Sequence, residues 1–197
     1  MKLIIVRHGR TEENEAGILQ GQLPGKLTKE GIGQAKKLAL RLKTEEIDHI
    51  YSSDLARAAN TAKEIARHHP KIPLEFVAEL RERNLGIFTG RNKDEVDWTS
   101  KRTKATIKGG ESLKKLFDRA ERFLHKILLK HPNDTILFVG HNSINRAMIG
   151  AVMGKTWEEI RTLKGHKNTS ISIFEIDENR NHKIHLMGCV KHLGQAI

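Results

Sequence analysis

The sequence predicts an α/β fold, a three-layer sandwich in which helices cover both faces of a mostly parallel sheet. Short apolar runs such as Leu3-Ile4-Ile5-Val6 are typical of strands that are buried on both faces. These runs alternate with longer segments whose apolar residues recur at helical spacing, an order that favours parallel strands joined by helices. No internal repeat or interdomain linker interrupts the 197 residues, so we predict one domain spanning residues 1–197.

The first half of the chain supplies three strands and two helices. We predict strands at residues 3–6, 47–52 and 73–77, and a glycine-rich loop at 17–25. Thr28 is a typical helix cap, and the residues after it place Ala35, Leu38, Ala39 and Leu42 on one face. A second helix begins within residues 53–62, a stretch rich in capping residues.

The second half continues the alternation. Residues 91–108 are strongly basic and lack a clear period, so we interpret them as a partly helical lid over a site. Gly109-Gly110-Glu111-Ser112 opens a long amphipathic helix, and residues 135–139 form another buried strand that leads into a helix ending near Met153. Residues 170–176 and 183–187 predict a closing hairpin.

Composition limits the function classes. The formal net charge of +11 favours anionic partners, but aromatic residues make up only 5% and the basic residues are spread over several elements. A small acidic substrate explains the charge at least as well as nucleic acid does. Without a long apolar segment or room for a signal peptide before the first strand, we expect a cytoplasmic protein that binds no membrane. Cys189 is the single cysteine, and no Cys/His cluster has zinc-ligand spacing.

Two strands end in a histidine beside a glycine, Arg7-His8-Gly9 and Gly140-His141. On neighbouring parallel strands both imidazoles would emerge at the same sheet edge, where α/β folds bind ligands. Arg7 offers a fork of donors suited to phosphate or carboxylate, and His8 can act as a nucleophile or a base. Taken singly, each histidine is equally compatible with a structural role.

Two further charged residues follow strands. Arg57 lies in the first turn of the helix after the second strand, from which its side chain could reach the same edge. Glu82 follows the third strand. By position alone, Arg57 is also compatible with a solvated helix residue and Glu82 with a surface carboxylate.

Together these segments resemble the histidine phosphatase superfamily, the phosphoglycerate mutase-like proteins. The resemblance covers nearly the whole chain and keeps the order of the family's motifs. Its elements are Arg7-His8-Gly9 with Thr11 and Asn14, Leu27-Thr28-x-x-Gly31, the Tyr51 to Ala62 stretch with Arg57, Leu80-Arg81-Glu82, Gly110-Glu111-Ser112, and Gly140-His141.

The resemblance implies a metal-independent phosphatase, without a cofactor, that hydrolyses phosphate monoesters of a small anionic metabolite. His8 would attack phosphorus and form a phosphohistidine, which requires a neutral imidazole, and the nearby arginines would lower its pKa. Glu82 would protonate the leaving oxygen and then activate water. The implied catalytic residues are His8, Glu82, His141, Arg7 and Arg57, and the implied substrate-binding residues are Arg7, Asn14, Gln20, Gly21, Arg57, His141 and Asn142.

Departures from the family pattern leave the substrate open. Pro24-Gly25-Lys26 stands where many relatives have an acidic residue followed by Pro-Leu-Thr, so the charge of this loop is altered. Asn142-Ser143 follows the second histidine where the phosphatases usually have glycine. Asn142 either contacts substrate or caps the following helix.

Three functional readings remain. The segment between Glu82 and the Gly-Glu-Ser helix is short, and its Lys101-Arg102 pair is its only similarity to the paired arginines of the mutases. We therefore favour hydrolysis over a mutase-type phosphotransfer. A noncatalytic protein that binds phosphometabolites or nucleic acid is the third reading, and the intact set of catalytic positions argues against it. The basic segment either selects multiply charged esters or is a solvated lid. The final strands could provide a homodimer surface.

Overall fold

The protein is built on a six-stranded sheet in the order β3-β2-β4-β1-β5-β6. The structure, a computed structural model, describes residues 1–97 and 107–194. The first four strands in chain order run parallel, and the last two form an antiparallel hairpin beside β1. The strands are β1 Lys2–Arg7, β2 His49–Ser53, β3 Leu74–Val77, β4 Thr135–Gly140, β5 Ile171–Ile176 and β6 His182–Cys189.

Helices cover both faces of this sheet. They are α1 Glu12–Glu15, α2 Lys29–Leu42, α3 Ala56–Ala66, α4 Leu113–Lys130 and α5 Asn142–Val152. Because side chains alternate along a strand, Leu3 and Ile5 pack with the core under α4 and α5, whereas Ile4 and Val6 pack with the core under α2 and α3. The predicted three-layer α/β sandwich with a mostly parallel sheet is confirmed.

The capping residues explain where two of these helices begin. The Thr28 hydroxyl accepts a hydrogen bond from the backbone N–H of Gly31 at 2.9 Å, as the sequence predicts. Ser112 caps α4 in the same way, accepting from the N–H of Lys115 at 3.1 Å. The short 3₁₀ turn Lys93–Glu95 is the described helical part of the predicted basic lid. Lys101, Arg102 and Lys104 lie outside the described residues.

The strand register brings the two histidines together. Arg7 pairs with Gly140 across β1 and β4, and the N–H of His8 donates to the carbonyl of Gly140 at 3.1 Å. The chain then passes tightly against the start of α2, because a Cβ on Gly9 would lie 2.5 Å from the carbonyl oxygen of Gly31. Glycine is therefore required sterically just after the first histidine.

Candidate active site

A cavity of about 740 Å³ opens at the carboxyl edge of the parallel strands. Eight of the nine site residues expected from the sequence line it: Arg7, His8, Asn14, Gln20, Gly21, Arg57, Glu82 and Asn142. The ninth, His141, is fully buried beside Arg57 and His8. The structure thus gathers at one sheet edge side chains that are up to 135 positions apart in sequence.

His8 is oriented by its own backbone turn. Its Nδ1 lies 2.7 Å from the carbonyl oxygen of Gly9, so Nδ1 must carry the proton and donate it. Nε2 is then left with its lone pair, facing Arg57. Burial, followed by the charges of Arg7 and Arg57, holds the pKa of His8 well below 6.5. A buried, neutral imidazole whose Nε2 is unprotonated is the form that a nucleophile needs.

Arg57 is the central cation of the site and is only 1% exposed. Its Nε lies 3.3 Å from His8 Nε2 and 3.1 Å from His141 Nδ1. Its Nη atoms hold the early glycine-rich loop through the carbonyl oxygens of Gly21 (2.9 Å), Leu23 and Pro24. Burial lowers the pKa of Arg57 to about 10, which still leaves it charged at neutral pH.

His141 is held from the opposite side. Since its Nδ1 faces the Arg57 N–H, its proton lies on Nε2, which is 2.8 Å from the Ser53 hydroxyl. Its ring centroid is 5.0 Å from that of His8. Burial, together with the charges of Arg57 and Arg7, holds the pKa of His141 well below 6.5. Ser53 was part of the sequence motif but had no assigned role.

Arg7 presents an unused donor to the cavity. One Nη donates to the carbonyl of His166 at 2.5 Å, whereas the buried Nε has no hydrogen-bond partner among the described residues. Burial lowers the pKa of Arg7 from its ordinary value, and Glu82 partly offsets this. A buried guanidinium N–H without a partner is poised to bind an anion.

The Glu82 carboxylate rests on the N-terminus of α5. One oxygen accepts from the N–H groups of Ser143 (3.1 Å), Ile144 (3.3 Å) and Arg83 (2.8 Å), and the other also lies 3.1 Å from the Ser143 N–H. This carboxylate occupies the place of a capping side chain. Of the two roles left open for Asn142, capping of α5 is wrong, because Glu82 satisfies the donors that such a cap would serve.

The segment that carries Glu82 is fixed by two ion pairs. Arg81 forms a two-bonded ion pair with Asp54 just beyond β2. Arg119 of α4 binds both carboxylate oxygens of Glu111 at 2.9 and 3.0 Å, and one of its Nη atoms donates to the carbonyls of Glu79 and Arg81. The Gly-Glu-Ser motif thus supports the Glu82 segment from the side of α4.

These positions carry the six motifs in their family order. The family model of the histidine phosphatase superfamily (branch 1) matches residues 3–188. The chain belongs to the histidine phosphatase superfamily.

Several members of this superfamily are similar to the chain along almost its entire length. Phosphoserine phosphatase 1 of Hydrogenobacter thermophilus is 35% identical, over 99% of this chain and 95% of the relative. Phosphoglycerate mutase-like protein 4 of Arabidopsis thaliana is 34% identical, over 99% of this chain and 88% of the relative. The solved phosphoserine phosphatase of Entamoeba histolytica, in complex with 3-phosphoglyceric acid, superposes with a TM-score of 0.85 at 26% identity and 98% coverage of both chains.

Three of the expected substrate-binding residues line this histidine phosphatase cavity and also bind neighbouring segments. Gln20 is 7% exposed and donates to the Thr11 hydroxyl at 2.9 Å, while its Oε1 has no partner in the described part of the chain. Asn14 accepts from Asn168 at 3.2 Å. Asn142 accepts from the backbone N–H of His166 at 2.9 Å, so it anchors a neighbouring loop besides lining the cavity.

Sequence reasoning missed three arginines that line the same cavity: Arg83, Arg146 and Arg161. None of the described basic residues of the 91–108 segment lines it. Arg83 directly follows Glu82, and Arg146 follows His141 by five residues, so their closeness to the motif residues was the available signal. Among the described residues, the positive charge of the cavity beyond Arg7 and Arg57 therefore comes from these three arginines.

Within residues 1–97 and 107–194, no group of three or more His, Cys, Asp or Glu side chains could hold a metal ion. Across the same residues, no helix is both long and apolar enough to cross a bilayer.

Proposed function

We propose that this protein is a phosphatase that hydrolyses phosphate monoesters through a phosphohistidine on His8. The observation that carries the proposal is the tautomer of His8, whose Nδ1–H donates to the Gly9 carbonyl at 2.7 Å while Nε2 faces the cavity beside Arg57. This is the arrangement of an activated nucleophile next to a cation for the transferring group.

The reaction proceeds in two displacements. In the first, the His8 Nε2 lone pair forms a bond to phosphorus, the P–O ester bond breaks, and the leaving oxygen takes a proton from the Glu82 carboxyl group. In the second, water attacks phosphorus while the Glu82 carboxylate takes its proton, and the N–P bond breaks to release phosphate and neutral His8. Throughout, the Gly9 carbonyl accepts from Nδ1 and stabilises the positive charge that develops on the ring.

Fixed cations stabilise the transferring phosphoryl group. Arg57 and Arg7 line the cavity, and the buried Nε of Arg7 has no hydrogen-bond partner among the described residues. The phosphoryl dianion also favours protonation of His141. Because these groups neutralise the phosphoryl charge, we propose that turnover does not require a metal. Glu82 starts as a carboxylate on the α5 N-terminus, and repulsion from the bound dianion favours the protonated form that acts as an acid.

The substrate class follows from charge and from relatives. A cavity lined by five arginines and two carboxylates suits a small metabolite that carries negative charge. The names of two relatives point to phosphoserine, and the solved relative was complexed with 3-phosphoglyceric acid. The expected cytoplasmic location, the lack of nucleic-acid and membrane partners, and the homodimer stay predictions.

Phosphate release in the presence of a chelator tests this function. Wild-type protein, His8→Ala and the control His182→Ala, which changes an exposed histidine of β6, would be assayed on a panel of phosphate esters. Acid-quenched protein would be examined for acid-labile, base-stable phosphate. We expect wild type and control to turn over and to carry the label, and His8→Ala to do neither. Turnover in His8→Ala, or loss of wild-type turnover in chelator, contradicts the mechanism.

A mutase-type phosphotransfer is the second candidate because one relative is named a phosphoglycerate mutase-like protein. The same experiment separates it from hydrolysis. A labelled His8 that releases phosphate only when a hydroxyl acceptor is added indicates the mutase, whereas release to water alone indicates the phosphatase.

A further inference from the structure

We propose that Asn168 is a positioning residue of the active site, which turns the Asn14 side chain so that its NH2 group donates a hydrogen bond to the transferring phosphoryl group. Asn168 lies in the segment that leads into β5 and belongs to none of the motifs found in the sequence. The inference rests on the proposed phosphatase function and adds a residue to the machinery that carries it out.

The orientation of the Asn168 amide follows from one of its contacts. Its Nδ2 lies 3.0 Å from the backbone carbonyl oxygen of His8. Because a carbonyl oxygen can only accept, the end of the amide that faces it must be the NH2 group. The same NH2 group also donates to Asn14 Oδ1, at 3.2 Å. Its two hydrogens therefore join the backbone of the nucleophile to the Asn14 side chain.

The orientation of the Asn14 amide follows from that of Asn168. Asn14 Oδ1 accepts from Asn168 and also from the backbone N–H of Thr11 at 3.3 Å, a group that can only donate. Since two donors hold the oxygen, the NH2 end of the amide is left for other partners. Asn14 lines the cavity together with His8 and Arg57. An anion bound in this cavity therefore meets an N–H donor of Asn14 and not an oxygen that would repel it.

Asn168 supplies much of the preference for this orientation. A half-turn about the last bond of an asparagine side chain exchanges the oxygen and the NH2 group, so only the hydrogen-bond partners distinguish the two orientations. Without Asn168, the Thr11 N–H alone would hold the oxygen of Asn14, at a distance that is long for a hydrogen bond. Removal of Asn168 should therefore weaken the donor that Asn14 offers to an anion.

Asn168 is anchored on a peptide group that is itself held at both ends. The N–H of Gly9 donates to the Thr61 hydroxyl at 3.1 Å, and the carbonyl of the same peptide group, that of His8, accepts from Asn168. His8 is buried, with 2% exposure. The Asn168 NH2 group is therefore fixed relative to the nucleophile, and the Asn14 side chain is fixed with it.

A left-handed backbone at Thr169 holds Asn168 in place. Thr169 has a φ of 56°, which β-branched residues rarely adopt. Its N–H donates to the carbonyls of Arg7 at 3.1 Å and His8 at 3.3 Å, and its hydroxyl donates to the carbonyl of Asn168 at 2.8 Å. Unfavourable backbone conformations persist where the surrounding contacts over-determine them, and they cluster at functional sites. The strained residue directly follows Asn168, in agreement with a positioning role.

Binding of inorganic phosphate, measured by calorimetry, tests this role in a double-mutant cycle. Asn168→Ala, Asn14→Ala and the double variant would be compared with wild type. We expect the dissociation constant to rise about 3- to 10-fold in Asn168→Ala and about 10-fold or more in Asn14→Ala, since a hydrogen bond to the anion is weakened or lost. In the double variant it should rise no further than in Asn14→Ala, because Asn168 acts through Asn14. Asn60→Ala, which changes an exposed asparagine of α3, is the control and should bind phosphate as wild type does.

The cycle separates positioning from a merely structural role. A structural role lowers the melting temperature of Asn168→Ala and weakens phosphate binding by the same factor with and without the Asn14 side chain. Single effects that multiply in the double variant would therefore overturn the proposal, as would an unchanged dissociation constant in Asn168→Ala.

Nuclear magnetic resonance of the wild-type protein tests the orientation of Asn14 without an Asn168 variant. In protein isotopically labelled at asparagine nitrogen, the side-chain NH2 signals of Asn14 are assigned by their absence from Asn14→Ala. We expect these proton signals to move downfield when inorganic phosphate is added, whereas the NH2 signals of Asn60 should stay in place. Unmoved Asn14 signals at saturating phosphate would show that its amide does not donate to the anion and would overturn the proposal.

Turnover distinguishes a failure of this inference from a failure of the proposed function. In an active phosphatase, Asn168→Ala should lower kcat/KM for p-nitrophenyl phosphate about 3- to 10-fold. Hydrolysis and His8 labelling together with independent effects of Asn14 and Asn168 refute the positioning role alone. Absence of hydrolysis and of His8 labelling in wild type refutes the proposed function and the positioning role with it.

Discussion

A single N–H group, Arg57 Nε, lies between the two histidines of the site, 3.3 Å from His8 Nε2 and 3.1 Å from His141 Nδ1. Because an arginine fork also holds the carbonyls of Gly21 and Pro24, one side chain joins the nucleophile, the second histidine and the loop over them. Arg57 therefore has two roles: it supplies positive charge beside the histidines, and it fixes the position of the glycine-rich loop.

Arg57→Lys should separate these two roles. Lysine keeps the charge but cannot reproduce a planar fork of donors. We expect kcat to fall about 10²- to 10³-fold, the range for removing a transition-state donor. The melting temperature should fall as well, since the loop carbonyls lose their partners. The exposed Arg41→Lys is the matched control, and turnover within a few-fold of wild type in Arg57→Lys would contradict the role given to the fork.

Glu82→Gln should produce an effect that depends on the leaving group. p-Nitrophenolate leaves without a proton, so His8 should still be phosphorylated by p-nitrophenyl phosphate, giving a burst of product equal to the enzyme present and then slow turnover. An alkyl phosphate needs the proton, and its hydrolysis should fall about 10²- to 10⁴-fold without a burst. Rapid-quench measurements distinguish the two steps. A burst with both esters would show that Glu82 does not protonate the leaving group.

Arg119→Lys should give a weaker version of the same pattern. Arg119 does not bind the Glu82 carboxylate. It instead donates to the carbonyls of Glu79 and Arg81, which precede Glu82 in the chain. We expect alkyl phosphates to be slowed more than aryl phosphates, as for Glu82→Gln. Arg122→Lys, an exposed change on the same helix, is the control. Equal slowing of both ester classes would indicate a general loss of structure instead of displacement of Glu82.

Gly9→Ala should destabilise the fold through one contact. The added Cβ would lie 2.5 Å from the Gly31 carbonyl oxygen, and backbone on both sides limits relaxation. We expect a loss of about 1–3 kcal/mol in the free energy of unfolding, measured by urea denaturation. Gly33→Ala in α2 is the control, because nothing lies within 4 Å of its Cβ position and alanine favours the helix by up to about 1 kcal/mol. A Gly9→Ala protein as stable as wild type would refute the steric requirement.

The lowered pKa of His166 should make the protein sensitive to acid. Burial, followed by the charges of Arg7 and Arg146, lowers the pKa of His166 to about 4 from an ordinary 6.5. Between these values the unfolded chain binds a proton that the folded chain does not, so the free energy of unfolding falls as the pH falls. One such group contributes up to about 1.4 kcal/mol per pH unit.

His166→Gln tests this dependence. Between about pH 6.5 and pH 4, the free energy of unfolding of the variant should depend less steeply on pH than that of wild type. The difference in slope should correspond to the uptake of up to one proton, and urea denaturation at a series of pH values measures it. The exposed His182→Gln should keep the wild-type slope. An unchanged slope in His166→Gln would show that His166 titrates alike in the folded and unfolded states.

The positions of the two histidines at the sheet edge could be predicted from local patterns, whereas their catalytic roles came from the family resemblance. A buried apolar run that ends in a cation, a histidine and a glycine places His8 at the carboxyl edge of a parallel sheet. Gly140-His141 follows β4 in a similar pattern. Glu82 followed from motif order, but its contact with the N–H groups of α5 did not. That contact joins residues 61 positions apart, which no local period encodes.

The sequence by itself determined the layer order and placed the two histidines at strand ends, because strand burial, helix caps and the His-Gly turns are set by neighbouring residues. The role of His8 as the nucleophile followed from the family resemblance. Only the tertiary structure decided the His8 tautomer, the Glu82 cap on α5 and the arginines that line the cavity beyond Arg7 and Arg57. These depend on packing between α4, α5 and the 79–84 segment, where desolvation and hydrogen-bond geometry arise from residues distant in the chain.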